Sequence, residues 1–385
     1  MKKSKIFIIV SAVICLTCMA FVIAVAHPHQ KHEHTLGEAR VYHVSQDGIY
    51  YTRQCNDNYS ENFTTQASLL DIMKTMSSQD KIVLTEDIVL DESLTISSVV
   101  LGENGPVGLN LNVNIDLNNH QITSNIADDV DGAMFKLSAN YGTIKFNIKN
   151  GKIYSEDFKY IFDFQNDTTV SSVNKNISLN IDNVECVVKG NNTTPLYANS
   201  TAHGIEVNAV NSKFIAQQST TTDDNTVGVF INSANSRFNF TGCDFEGADG
   251  VYVKQGRVNL NKCNLNSTLS TRRTLQETEN PFFAIGATLL AESYNSSTGC
   301  TQFNVVITDC VATANSYTAI YLIQTNEEGH DVAFNNNSSV VVNSGMFNGN
   351  PQSFEYKNSL NENIITYANT PIAENVNDIY MFVVK

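Results

Sequence analysis

Leu117-Asn118-Asn119-His120-Gln121-Ile122 is the first copy of a six-residue frame that recurs along this chain of 385 residues. The frame reads apolar, any, small polar, any, any, apolar. Later copies begin at Ile148, Ile181, Ala209, Phe240, Leu260, Ile307 and Val342. By subtraction of their first positions, consecutive copies start 31, 33, 28, 31, 20, 47 and 35 residues apart. Repetition at this spacing is typical of a solenoid, in which no unit buries its apolar face alone.

Asparagine holds the third position of the four strongest copies, as Asn119, Asn150, Asn183 and Asn211. A tight bend suits this residue, because Asn tolerates the left-handed region and hydrogen-bonds its neighbouring backbone. Alternating apolar residues precede the frames, and this period of two predicts a strand with one buried face. A second apolar stretch follows later in the unit, so each unit contains at least two short strands.

The repeat predicts an all-β fold, a right-handed parallel β-helix. Its units are too long for simple hairpins, and equivalent strands run in the same direction. The third-position asparagines would then form a ladder at one corner, while Ile148, Ile181 and Ile307 would face the interior. The alternative is an Asn-rich β-sandwich, which is less consistent with spacings that stay near one coil length.

Four further features carry a resemblance to a known family. They are Val44-Ser45-Gln46-Asp47-Gly48, a helix from Ser68 to Met76, the run from Lys81 to Ile88, and the phrase from Ile115 to Thr123. On these features, over roughly residues 41–350, the chain resembles secreted, pectate-lyase-like β-helix repeat proteins of bacteria. The resemblance implies an N-terminal strand and a capping helix ahead of the first coil. It concerns the fold, since activity must be argued from a site.

The capping helix is expected over residues 66–77, with Leu69, Leu70, Met73 and Met76 on one face. Such a helix would close the open end of the first coil, where exposed sheet ends invite aggregation. The domain organisation expected is a signal peptide or membrane anchor at 1–26, a His-rich linker at 27–40, a strand and capping helix at 41–80, and the parallel β-helix at 81–385.

The N-terminus predicts export. Lys2, Lys3 and Lys5 precede an apolar run from Ile6 to Ala26, which is long enough to span a bilayer. Ala24-Val25-Ala26 also offers a signal-peptidase site, so cleavage and a retained anchor both remain open. In either case we expect an extracytoplasmic protein, secreted or anchored, that contacts the membrane through residues 6–26 alone.

Composition limits the partners. The net charge of −15 argues against nucleic acid, and it disfavours polyanionic substrates unless metal ions bridge. Tryptophan, the commonest sugar-stacking residue, is absent, although Tyr and Phe can substitute. The partner expected is a carbohydrate or another ligand of the host or cell surface, and the chain is expected to be a monomer.

Two clusters have the residue types of a metal site, although no cofactor is predicted outright. Closely spaced histidines can chelate zinc, and loop carboxylates can bind calcium, which takes six to eight oxygens. The alternatives are a solvated stalk and a solvated acidic turn. The histidines are His27, His29, His32 and His34, and the carboxylates are Asp128, Asp129 and Asp131.

The longest gap between frames contains Arg272 and Arg273, an arginine pair that can hold a ligand carboxylate. The alternative is a solvated loop. Enzymes of this fold need a carboxylate pair, or calcium with a basic residue, and neither pattern is recognisable here. The function expected is therefore non-catalytic adhesion or ligand display at the cell surface. The alternative is a polysaccharide lyase or a glycoside hydrolase.

Three cysteines share the fourth position of their frames: Cys243, Cys263 and Cys310. Equivalent positions of adjacent coils lie about 4.8 Å apart, within the Cα separation that a disulfide accepts. The pattern predicts that Cys263 can pair with Cys243 or with Cys310 but not with both, and the shorter connection favours Cys243. The alternative is a column of unpaired thiols.

Overall fold

The structure is a computed structural model that describes most of the chain from Ala39 onward. The described residues are 39–44, 49–54, 62–67, 82–125, 130–139, 141–164, 176–217, 225–273, 283–296, 299–326, 336–349, 354–356, 364–376 and 379–385. Within them every regular element is a β-strand, and parallel pairing between successive coils dominates. The chain is therefore all-β and winds as a parallel β-helix, while its right hand stays a prediction.

Three parallel sheets form the walls of the coil, and we name them A, B and C in the order in which the chain passes through them. Four long strands bend round a corner and belong to two sheets. Sheet A contains Ile82–Leu84, Asn110–Asp116, Thr143–Ser155, Asn176–Lys189, Ile205–Val210, Val227–Thr241, Asp249–Asn261, Phe303–Thr308, Ser339–Val342 and Ile365–Tyr367.

Sheets B and C complete each turn. Sheet B contains Ile88–Leu90, Gln121–Ser124, the ends of Thr143–Ser155 and Asn176–Lys189, then Lys213–Gln217, Asp244–Gly247, Asn264–Ser267, Cys310–Ala314 and Gly345–Asn348. Sheet C contains Leu94–Ser97, Val130–Ser138, Phe158–Phe164, Thr194–Ala198, the starts of Val227–Thr241 and Asp249–Asn261, then Leu289–Ser296, Ile320–Asn326 and Phe354–Tyr356. The sequence predicted at least two strands in each unit, and the structure has three.

Additional strands lie at the ends of the coil and beside it. They are the N-terminal strands Ala39–Val44, Ile49–Gln54 and Asn62–Ala67, the hairpin Val99–Gly102 and Gly105–Gly108, the short Gly299–Cys300, and the C-terminal Ile372–Val376 and Ile379–Val384. The N-terminal strands pair antiparallel with one another, and Ala39–Val44 also pairs parallel with Ile82–Leu84 of sheet A. Ile379–Val384 pairs antiparallel with Gly345–Asn348, so it covers the last edge of sheet B.

The predicted repeat register holds from the second frame to the last. Ile148 pairs with Ile181, and the pairing continues through Ala209, Phe240, Leu260, Ile307 and Val342. The first frame is in register at its end, where Ile122 pairs with Ile153, but not at its start, where Ile115 rather than Leu117 pairs with Ile148. Two consecutive left-handed residues, Asn118 and Asn119, with φ of 52° and 66°, lengthen that bend.

The interior of the coil is one apolar core. Ile148, Ile181 and Ile307 are each 1% exposed, which confirms their predicted inward orientation. A second cluster buries the outer face of sheet C, where rings of Tyr160, Tyr197 and Phe230 stack between neighbouring coils. Sheet C is therefore buried on both faces, whereas sheet A alternates buried and solvent-facing residues.

The predicted capping helix is contradicted at its start. Gln66 and Ala67 end the strand Asn62–Ala67, whose partner is Ile49–Gln54, so they pair as strand rather than helix. Residues 68–81 lie outside the described residues, and so do the apolar run at 6–26 and the histidines of the linker. Among the described residues there is no helix with the length and apolar character needed to cross a membrane.

Candidate functional site

A ladder of asparagine side chains follows the outer face of sheet A. Each Nδ2 donates to the Oδ1 of the asparagine one coil earlier, at 2.5 Å from Asn147 to Asn114 and at 2.6 Å from Asn180 to Asn147. The series continues with distances of 3.0, 2.8 and 2.7 Å through Asn208, Asn239 and Asn259. Because an amide has two donors and two lone pairs, the ladder leaves each side chain further hydrogen-bonding capacity towards solvent.

A second column of outward residues runs beside this ladder. Ser178, Glu206, Arg237, Arg257 and Asn304 are register partners in five successive coils. Glu206 and the two arginines are exposed. Adjacent strands lie about 4.8 Å apart, so the column places two guanidinium-bearing residues side by side with one carboxylate beyond them.

A cleft of about 670 Å³ lies at the corner where sheet C passes into sheet A, and its lining includes Glu206, Arg237, Arg257 and Asn304. Its walls are residues 204–206, 234–237 and 255–257, together with Cys300, Gln302 and Asn304. Gly256 permits the close approach of coils here. Its φ is +117°, and a Cβ at this position would lie 2.9 Å from the backbone oxygen of Ser233.

The cleft is locally basic in a chain of net charge −15. Among the ion pairs formed by the described residues, none involves Glu206, Arg237 or Arg257. The guanidinium groups therefore keep their donors for solvent or a ligand. A guanidinium binds carboxylate or sulfate oxygens through parallel N–H donors.

The predicted corner asparagines lie between sheets A and B. Asn119, Asn150, Asn183 and Asn211 have φ of 66°, 58°, 54° and 48°. Asn150 donates to Asp116 at 3.1 Å, and Asn183 donates to Asn150 at 3.3 Å. Burial alone would raise the pKa of Asp116, but bonds from Asn150, Asn118 and Lys149 outweigh it and lower the pKa. One rung of the predicted ladder, from Asn183 to Asn150, is therefore present at this bend.

Arg272 and Arg273 lie against aromatic rings of two loops that join sheets B and C in successive coils. The guanidinium carbon of Arg272 is 3.8 Å from the Tyr317 ring centre, and that of Arg273 is 4.7 Å from the Phe283 ring centre. Asp249, fully buried, accepts bonds from the backbone N–H groups of residues 285–287. Burial raises its pKa to about 7, although those bonds and the charge of Arg273 lower it. Ligand binding by this pair stays a prediction.

The predicted metal sites receive no support from the described residues. His27, His29, His32 and His34, with Asp128 and Asp129, lie outside them, and Asp131 lies in the strand Val130–Ser138. Within the described ranges, no three His, Cys, Asp or Glu side chains gather closely enough to hold a metal ion. Calcium or zinc binding at the predicted residues stays a prediction.

The cysteine column is present, with free thiols. Cys243, Cys263 and Cys310 are buried in adjacent coils, and the backbone N–H of Cys263 approaches the Cys310 Sγ at 3.4 Å. A hydrogen bond to Cys243 raises the pKa of Cys263 to about 12, and a hydrogen bond to Cys263 raises the pKa of Cys310 further. A Cys243–Cys263 disulfide is not formed here.

Sequence reasoning missed both columns on sheet A, although the signal was available. Asparagine directly precedes the first position of five frames, as Asn147, Asn180, Asn208, Asn239 and Asn259. Arg237 and Arg257 each stand three residues before their frames. The frames were aligned on their apolar positions, so the outward positions between them were never compared across units.

The cleft residues provide one carboxylate, from Glu206, next to a basic side chain. Hydrolysis of a glycosidic bond ordinarily needs two carboxyl groups about 5–9.5 Å apart. The arrangement suits recognition of hydroxyl and anionic groups better than acid–base chemistry.

Comparison with known proteins gives a distant likeness only. No family model and no curated protein matches the chain. Among solved structures, the chain is similar to one titled "Crystal structure of pectate lyase Pel9A", with 13% sequence identity and a TM-score of 0.30. The likeness covers 86% of this chain and 79% of that chain. It carries no conclusion about activity.

Proposed function

We propose that the chain is an exported cell-surface protein that binds a carbohydrate along the outer face of sheet A without cleaving it. The observation that carries this proposal is the row of amides from Asn114 to Asn259 beside the cleft at Arg237 and Arg257. Amides and guanidinium groups match the hydroxyl and acidic groups of sugars, and a row that repeats at each coil suits a repeating polymer.

Export rests on the N-terminal lysines and the apolar run from Ile6 to Ala26. An elongated solenoid held at a surface presents sheet A along its whole length, which suits adhesion or ligand display. The second candidate is a polysaccharide lyase or glycoside hydrolase. Glu206 beside Arg237 is the observation that favours it, since a carboxylate and a base share the cleft.

A glycan array with the full chain, purified in detergent, tests this proposal. We expect a defined group of polysaccharides to be captured, and incubation with them to release no new reducing ends or unsaturated sugars. Asn180→Leu interrupts the amide row and should weaken glycan capture. Asp182→Leu, two residues further along the same strand and outside the row, is the matched control. Formation of product would favour the lyase or hydrolase over non-catalytic binding. An array without any captured glycan would overturn both candidate functions.

A further inference from the structure

We propose that the cleft takes a single oxyanion, a carboxylate or a sulfate ester, flanked by neutral hydroxyl-bearing units. This inference deepens the proposed function and rests on it. It predicts a ligand in which anionic and neutral units alternate, rather than a polymer with an anion on every unit.

The two arginines form the anion subsite. Arg237 and Arg257 are register partners in adjacent coils, both exposed, and neither takes part in an ion pair among the described residues. The two arginines stand on adjacent strands, whose backbones lie about 4.8 Å apart. Their like charges repel each other, so an oxyanion bound between them relieves this repulsion while it accepts N–H donors from both.

The flanking positions set the limits of that subsite. Glu206 is the register partner of Arg237 in the preceding coil, and its carboxylate repels a second anion placed there. On the other side Asn304 is the partner of Arg257, and its Oδ1 accepts a hydrogen bond from Ser339 at 3.0 Å. Along the column, the cationic pair Arg237 and Arg257 therefore has an acidic residue in the coil before it and a neutral residue in the coil after it.

The neighbouring amide row provides partners for the neutral units. Asn208, Asn239 and Asn259 lie beside Glu206, Arg237 and Arg257 on the same face. Their amides and the Glu206 carboxylate can exchange hydrogen bonds with hydroxyl groups. A run of anions would instead face Glu206 and the strong negative charge of the whole chain.

Binding of the full chain to four polymers tests this selection. Hyaluronan alternates a carboxylate-bearing sugar with a neutral one, and polygalacturonate has a carboxylate on every unit. Keratan sulfate bears sulfate esters without carboxylates, and dextran is neutral. We expect hyaluronan or keratan sulfate to bind more tightly than polygalacturonate and dextran, and the preferred member of that pair identifies the oxyanion.

The variants separate the roles of the side chains. Arg237→Gln with Arg257→Gln should weaken binding of the preferred polymer about tenfold or more, because bonds to charged groups are lost. Glu206→Gln should raise the affinity for polygalacturonate more than the affinity for hyaluronan, because polygalacturonate places a further anion next to this side chain. Lys145→Gln is the control, since Lys145 lies in the same column, exposed and outside the cleft.

Two results would overturn the inference and leave the proposed function standing. The first is binding of polygalacturonate that equals that of hyaluronan and does not respond to Glu206→Gln. The second is glycan binding that is unaffected by the double arginine variant while its circular dichroism remains that of the wild type. Failure of every glycan on the array to bind would instead remove the proposed function itself.

Discussion

Single residues with positive φ set the corner between sheets A and B. Asn150, Asn183 and Asn211 adopt the left-handed conformation there, as do Gly242, Lys262 and Asp309 in later coils. The first three follow from the sequence, because asparagine is the side chain that most readily takes this conformation. Lys262 does not, since the register of the neighbouring coils imposes its backbone conformation.

Replacement of Asn183 tests this role. Asn183→Ala should destabilise the fold by about 1 kcal/mol, because Ala has a Cβ and lacks the amide that eases the left-handed conformation. Asn183→Gly should cost less, since glycine takes this conformation readily. The midpoint of urea unfolding measures both changes. Equal losses for the two variants would show that the amide contacts, and not the backbone conformation, explain the asparagine.

Replacement of Ile181 tests the interior. Ile181→Asp should cost several kcal/mol, roughly the range for burying an unpaired charge, because Ile181 is 1% exposed. Asp182→Asn on the solvent side of the same strand is the control and should change stability little. Thermal unfolding of the two variants compares them. Unchanged stability of Ile181→Asp would refute the inward assignment of this frame.

At the scale of elements, the strands of sheet A and the second apolar stretches that form sheet C could be predicted, whereas sheet B could not be predicted as a separate wall. Alternation reveals sheet A, because one of its faces is solvated. Sheet C is buried on both faces, so strands such as Phe158–Phe164 read as continuous apolar runs without period. The cleft also escaped prediction, since it depends on which outward residues the register aligns.

The cysteine column allows one disulfide among three thiols. The native thiols should react slowly with oxidised glutathione, because all three are buried. The pKa of Cys263 is raised, whereas a hydrogen bond with Cys263 lowers the pKa of Cys243, so Cys243 should be the most reactive of the three. Oxidative refolding should instead form a single bond that includes Cys263. A Cys243–Cys263 bond would close a loop of about 20 residues and add roughly 3 kcal/mol on the chain-entropy model. Mass spectrometry of digests identifies the bond, and a Cys243–Cys310 linkage would contradict the column order.

Asp249 makes the loop that ends at residues 285–287 sensitive to pH. Burial raises its pKa from 3.8 to about 7, so the folded state favours the protonated acid. Its contribution to stability is therefore complete below 3.8, falls as the pH rises, and is lost above about 7. The stability of the wild type relative to Asp249→Asn should decline across this window. A relative stability that rises with pH would mean that the backbone donors outweigh burial.

The whole molecule is an elongated coil whose charge is unevenly placed. Its class, its repeat and most of its core could be predicted from the frames, because stacking repeats one pattern of burial many times. Its proposed binding face could not be predicted in this way, since the net charge of −15 gives no sign that Arg237 and Arg257 form a local basic patch. Function on a solenoid depends on such columns of outward residues rather than on the fold.

Arginine footprinting tests most directly the claim that ligands bind to sheet A. Phenylglyoxal modifies accessible guanidinium groups, and mass spectrometry reports each site with and without the tightest glycan from the array. We expect the glycan to protect Arg237 and Arg257, which line the cleft, and to leave modification of Arg272 unchanged. Protection of Arg272 and Arg273 with full modification of Arg237 and Arg257 would place the ligand on the loop instead and contradict the account.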